Sequence, residues 1–311
     1  MGMKLQLLIR IILLCGVIPC VGLSGCGLKA KKRGAEIVAI DYSGSYHFYF
    51  PPLDEVSWQV ESGRLGCTLS QEIPSYGKAT FIHKPLQGLI FSMTVLRPPK
   101  HPANARLVSL TPSWREKNEI DRELGTIPLV VSDTPFYLHN GWARRLLLEL
   151  ERGMNPVFRY NDWADGRDQV NVMLSSVHFM PAWALFQKCE QGLLNYRFID
   201  VKNSVIQYDV NQTKPGKDAL ARLDKLIEYI KLDPTVKRIK IDGFTDSKGF
   251  SRVNLAVAKK RIQAVKQYLL AQGVNSKLIL ATAHNEKVAR YSNRTAEGRS
   301  KNRRVEINLL K

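Results

Sequence analysis

Histidine, acidic residues and long apolar runs are all scarce in this chain. The six histidines (His47, His83, His101, His139, His178 and His284) are scattered. No His-Glu-x-x-His, Gly-x-Ser-x-Gly, Walker loop or Cys/His metal cluster is present. A hydrolase would need a paired acid and base or a zinc site, and neither shows, so the expectation is a non-catalytic protein with no cofactor and no metal site. The apolar run from Ile11 to Leu23 is shorter than the ~20 residues that cross a bilayer comfortably. Acidic residues number 28 against 46 Lys and Arg, a net charge of +18. Most of the excess lies from Val201 onward, where 24 Lys and Arg face 10 Asp and Glu, an excess of 14. Such a field favours an anionic partner: nucleic acid, acidic lipid or a carboxylate-bearing wall polymer. The 44% hydrophobic content supports packed cores rather than disorder. A length of 311 residues points to about two domains.

Lys4 and Arg10 precede the apolar run, which reads as the h-region of a secretory signal. Export disfavours nucleic acid as the partner. Leu23-Ser24-Gly25-Cys26 resembles a bacterial lipobox. That resemblance implies a signal peptide over residues 1–25, acylation of the Cys26 thiol and, with Gly27 next, attachment to the outer membrane. An ordinary signal cleaved near Ala30 or Ala35, or retention of the run as an anchor, are the competing readings. Residues 26–36 form a basic tether with Lys31, Lys32 and Arg33 in a row. Of the five cysteines, Cys15 and Cys20 leave with the signal. Cys67 and Cys189 remain, and an even pair in an oxidising compartment reads as a disulfide, with two buried free thiols as the alternative. It closes a loop of about 120 residues, which constrains the unfolded chain by about 4–5 kcal/mol.

Residues 37–200 read as a strand-rich domain. Tyr46–Phe50, Lys78–His83, Leu89–Leu96, Leu129–Val131 and Val170–Val177 are β-branched and aromatic. Pro51-Pro52, Pro98-Pro99 and Asp165-Gly166 supply turns. Trp142–Arg152 and Pro181–Leu194 predict short helices. Trp58, Tyr76 and Phe81 are expected in the core. Asp162, Asp165 and Asp168 lack EF-hand spacing, so a hairpin turn is expected there and not a calcium site. Residues 201–311 alternate helix and strand. Leu220, Leu223, Ile227 and Ile230 form a helical stripe that ends at Asp233-Pro234. Arg238–Gly243 alternates as a strand, Val253–Ala271 is helical with Gly273 as its stop, and Val305–Leu309 is a last strand. The fold class is α+β: a strand-rich domain followed by an α/β sandwich of helices on one sheet.

Thr245 and Asp246 follow a predicted strand, and Asn254 and Arg261 lie seven residues apart on the next helix. Two helical turns are about 7.2 residues, so these two share a face. A carboxylate, an amide and a guanidinium that converge suit a zwitterion, the Asp holding an ammonium and the Arg a carboxylate. A plain Asp246–Arg261 ion pair is the competing reading. The string Gly243-Phe-Thr-Asp-Ser-Lys-Gly249, with Asn254, Arg261, Val265, Tyr268-Leu269 and Gly273, resembles the OmpA C-terminal family. So does Asn293-Arg-Thr-Ala-Glu-Gly-Arg-Ser-Lys-Asn-Arg-Arg-Val-Glu-Ile307. The resemblance implies non-covalent binding of the diaminopimelate of peptidoglycan, with Asp246 and Arg261 gripping the amino-acid head. Thr245, Asn254 and Arg303 match neighbouring contact positions, and Arg304 supports the sheet. Ala281–Val288 and Ala258 depart from the family pattern, which bears on loop shape and affinity.

The region around Trp58 and Cys67–Phe81 resembles the flagellar motor protein MotY family. The later stretches Gly141-Trp142, Gly153-x-x-Pro156, Tyr160–Asp168, Phe179 and Cys189–Phe198 agree with it. The resemblance implies a flagellar basal-body component of the T-ring type, anchored to the wall, that helps stator units assemble. It also implies a MotX-like partner and a Cys67–Cys189 disulfide. The family is mostly soluble and periplasmic, so a lipid at Cys26 would be a departure. A general outer-membrane lipoprotein that tethers the envelope to peptidoglycan is the alternative. Replacing Asp246 or Arg261 by Ala is expected to abolish wall binding and leave the fold intact.

Overall fold

The computed structural model describes residues 46–115, 121–161, 168–284 and 288–311. The signal segment, the tether, Cys26, Asp162 and Asp165 lie outside the described residues. The described residues fall within one compact unit, Tyr42–Lys311.

The amino-terminal half carries two five-stranded sheets. One has the order β1 (Tyr46–Tyr49), β10 (Gln169–Met173), β9 (Asn155–Asn161), β6 (Ala103–Leu110), β7 (Arg122–Leu129). The other runs β2 (Trp58–Gly63), β3 (Gly66–Ile73), β4 (Gly77–His83), β5 (Ile90–Val95), β8 (Phe136–His139) and is antiparallel throughout. Period-two alternation sends one face of β4 inward, so Ala79 and Phe81 are buried. Phe91 of β5 stacks on Phe158 of β9 at 5.4 Å, which joins the two sheets in one aromatic core with Phe136. Helix α1 (Asn140–Glu151) buries Leu146, Leu147 and Leu150 against this core. Helix α2 (Phe179–Gln191) adds Phe179 and Phe186. Tyr76 and Phe81 are buried, and half-buried Trp58 packs on Phe179 and donates its indole N–H to the Ser175 carbonyl at 3.0 Å. Strands β9 and β10 pair antiparallel.

Two sequence expectations shift. Leu129 ends its strand, and Val130 and Val131 are exposed. The strand from Val170 stops at Met173: Leu174 N–H still donates to the Pro156 carbonyl in register, but Pro156 has no N–H to return the bond. The disulfide Cys67–Cys189 is formed and fastens α2 to β3 across 122 residues.

The carboxy-terminal half is one four-stranded sheet, β11 (Asn203–Gln207), β14 (Arg304–Leu310), β12 (Arg238–Gly243), β13 (Ile279–Ala283). Helices α3 (Phe198–Val201), α4 (Lys217–Leu232) and α5 (Ser251–Ala271) accompany it, and α6 (Ala296–Asn302) leads into β14. Leu223, Leu226, Ile227 and Ile230 of α4 and Ile262, Val265 and Leu269 of α5 share a second core with Ile239, Ile241, Val305 and Ile307. Gly273 has φ +83°, and its N–H and that of Val274 close the end of α5 on Leu270 and Leu269. The turn between β2 and β3 crosses to this half: Leu65 packs on the second core, Arg64 pairs with Glu228, and the Arg64 carbonyl accepts from Leu194 N–H at 2.9 Å.

Beyond the end of α4, the buried Asp233 carboxylate accepts from Thr235 at 2.6 Å and Lys311 at 2.7 Å. Burial raises its pKa, but the hydrogen bonds from Lys311, Thr235 and Tyr229 outweigh burial and hold it at about 2. The folded value lies below the ordinary 3.8. The stabilisation is therefore full above about pH 4 and drains as pH falls towards 2, a change of about 2 kcal/mol. Urea titrations of Asp233→Asn should show lower stability at pH 7 and a flatter decline between pH 4 and pH 2 than the parent. Cys67→Ser should lose the reductant-dependent gel shift and about 2–5 kcal/mol of stability on denaturation.

Candidate ligand-binding site

Strand β12 ends at Gly243, and Phe244-Thr245-Asp246 continue from it into the turn that starts α5. The turn is built from local bonds. Lys248 N–H donates to Asp246 Oδ1 at 3.1 Å, an Asx-type closure, and Asn254 Nδ2 donates back to the Asp246 carbonyl at 3.2 Å. Ser247 N–H reaches Asn293 Oδ1 at 3.3 Å, which ties the turn to the segment before α6. Asn302 holds that segment by bonds to both backbone groups of Tyr291 and to Asn293. Gly298 permits the close packing of α6: a Cβ there would lie 1.9 Å from the Ser292 carbonyl oxygen.

Arg261 is 1% exposed. Its Nε donates to the Gln212 carbonyl at 2.9 Å, Nη1 to Phe244 at 3.2 Å and Nη2 to Asp209 at 3.3 Å. Its guanidinium also lies 4.8 Å from the Tyr208 ring centroid. Three of its five N–H donors are thus spent on carbonyls, which leaves two. Burial lowers its pKa, and the Arg303 cation acts the same way, while Tyr208 and Asp246 oppose them. Burial pushes the Tyr208 phenol up.

The competing reading, a plain Asp246–Arg261 ion pair, does not describe this arrangement. Asp246 Oδ2 instead accepts from Arg303 Nη1 at 2.8 Å, and Arg303 Nε reaches the Tyr208 carbonyl at 3.0 Å. The physical reason is reach: Arg261 is drawn beneath the loop by three carbonyls, and Arg303 enters from the end of α6. Arg304 is buried, lies 4.1 Å from the Phe244 ring centroid and bonds Glu306 at 2.6 Å. It therefore braces the sheet behind the turn.

Thr245, Asp246, Asn254, Arg261 and Arg303 line one cavity of about 610 Å³. The Thr245 hydroxyl is buried without a hydrogen-bond partner among the described residues. Buried hydroxyls are rarely left unpaired, so a partner that the described residues do not supply is expected at this one. Lys248 and Arg299 also line the cavity. Four cations therefore face the single carboxylate of Asp246, and the cavity favours an anionic group. Arg299 and Lys248 stand within the motifs quoted from the sequence, but their spacing alone did not aim them at the cavity. The two carbonyls that Arg299 Nη1 contacts, Asn293 and Arg294, exist in that position only once the segment folds back.

This geometry undoes the expectation that Arg261→Ala leaves the fold intact. Removing the side chain orphans three backbone carbonyls and opens a void beside Tyr208. Urea unfolding should show a loss of about 3 kcal/mol or more, against about 1–2 kcal/mol for Asp246→Asn, whose amide keeps an acceptor for Lys248 N–H.

The chain has relatives along nearly its whole described length. Residues 49–195 match the MotY N-terminal domain, and residues 208–303 match the OmpA family. It is 27% identical over 264 residues to the sodium-type flagellar protein MotY of Vibrio parahaemolyticus, spanning 84% of this chain and 89% of that one. It is 30% identical over 109 residues to outer membrane protein A of Bordetella avium, 35% of this chain and 54% of that protein. The crystal structure of the peptidoglycan-associated lipoprotein of Burkholderia pseudomallei aligns with 34% of this chain and 89% of its own, at 25% identity and a TM-score of 0.33. The chain is thus built from a MotY N-terminal domain followed by an OmpA-family domain.

Proposed function

We propose that this chain is a non-catalytic flagellar motor component that grips peptidoglycan through the cavity beneath Asp246. The observation that carries the reading is the cavity itself. It holds one carboxylate, an unpartnered hydroxyl at Thr245 and a buried guanidinium with two N–H groups to spare. This set is complementary to the zwitterionic head of diaminopimelate. Asp246 receives the ammonium, shared with Arg303, and Arg261 with Arg303 receives the carboxylate. Asn254 acts through the Asp246 backbone, which it holds in place. The excess of 14 positive charges from Val201 onward would draw the domain to the anionic wall.

The relative named as a flagellar MotY protein matches across both domains, and this favours a motor role over a general envelope tether. In this reading the domain of residues 37–200 meets the basal body and a MotX-like partner as part of a T-ring, and supports stator assembly. The domain of residues 201–311 anchors it in the periplasm, and acylation at Cys26 would add an outer-membrane tether.

Asp246→Asn keeps the shape and removes the charge. It should weaken co-sedimentation with purified peptidoglycan by about tenfold or more, at unchanged circular dichroism. Unchanged sedimentation would reject the pocket. A deletion strain should lose swimming; normal swimming with a fragile envelope would favour the tether instead.

A further inference from the structure

Phe250 is 83% exposed and occupies the N-cap of α5, where no side chain caps the helix. Ser, Thr, Asp or Asn at this position would satisfy an N–H of the first turn. The residue present forgoes that bond and places an aromatic ring in water, so folding does not account for it. A single exposed ring means little alone. This one, however, directly follows Gly249 and lies less than one helical turn before Val253, and both of those line the cationic cavity. Val253 is 54% exposed, and Val210, which lines the cavity from the 208–212 loop, is 67% exposed. An apolar lip therefore adjoins a polar pocket, the usual composition of a site that binds a ligand with both kinds of surface.

The charged head of an amino acid fills the polar part of such a site, and the lip is left to the apolar surface of the fragment that continues beyond it. We infer that Phe250, with Val253 and Val210, packs against the apolar C–H face of an amino sugar of the same wall fragment. The site then reads the glycan strand as well as the stem peptide. This inference rests on the peptidoglycan reading above, and its test separates the two.

The full chain and its Phe250→Ser and Phe250→Trp variants are titrated with three probes: diaminopimelate, a stem tripeptide that contains it, and the same tripeptide carrying its disaccharide. The parent should bind the disaccharide form most tightly. Phe250→Ser should weaken that form alone by about tenfold, and Phe250→Trp should retain it. Phe250→Ser should also melt a few degrees higher, because serine restores the cap, so a loss of binding cannot be assigned to misfolding. Equal affinities of parent and Phe250→Ser for the disaccharide form would overturn the inference and leave the pocket standing. Loss already at the tripeptide would assign the lip to peptide and overturn the sugar. Failure of the parent to bind any probe would overturn the peptidoglycan reading and the inference with it.

Discussion

The buried guanidinium of Arg261 is the constraint on which the carboxy-terminal site depends. A cation taken out of water is costly unless its donors are met. Here the carbonyls of Asp209, Gln212 and Phe244 meet three of them, and the Tyr208 ring lies against its face. Those carbonyls belong to two separate stretches, the 208–212 loop and the end of β12. One side chain of α5 therefore sets the distance between helix, loop and strand. Arg303 repeats the device from the other side, linking the Tyr208 carbonyl to the Asp246 carboxylate. The turn that carries Thr245 and Asp246 is held between two arginines, and its polar groups face one cavity.

The amino-terminal half solves a different problem. Two sheets and two helices bring together strands from distant parts of the chain, and the aromatic stack of Phe91, Phe158 and Phe136 fills the space between them. The disulfide adds a covalent tie between α2 and β3 to the packing of Phe179 and Phe186. The β2–β3 turn then reaches the other half through Arg64 and Leu65, so the halves meet by ion pair and apolar contact as well as through the covalent chain.

Much of the second half was legible in the sequence because its signals are local. The stripe on α4, the alternation of Arg238–Gly243 and the stop at Gly273 each depend on near neighbours, and the elements lie where those signals place them. Strands β6, β9 and β13 escaped sequence reading because pairing rather than local pattern makes them strands, and two of those pairings, β6 with β9 and β12 with β13, join distant stretches of the chain. Val130 and Val131 show the reverse: strand-forming residues that lie beyond the end of β7 and stay exposed.

For the site, sequence alone determined which chemical groups were available and that Asn254 and Arg261 share a helix face, because helical periodicity is a local property. It also pointed to a Cys67–Cys189 disulfide, with two free thiols as the alternative, and the bond is formed. Only the tertiary structure decided who pairs with whom. Asp246 meets Arg303 across 57 residues, and Arg261 turns to backbone carbonyls 17 to 52 residues away. Such choices follow from burial and reach in three dimensions, where a guanidinium goes to the acceptors that packing presents to it, and no spacing along the chain encodes them.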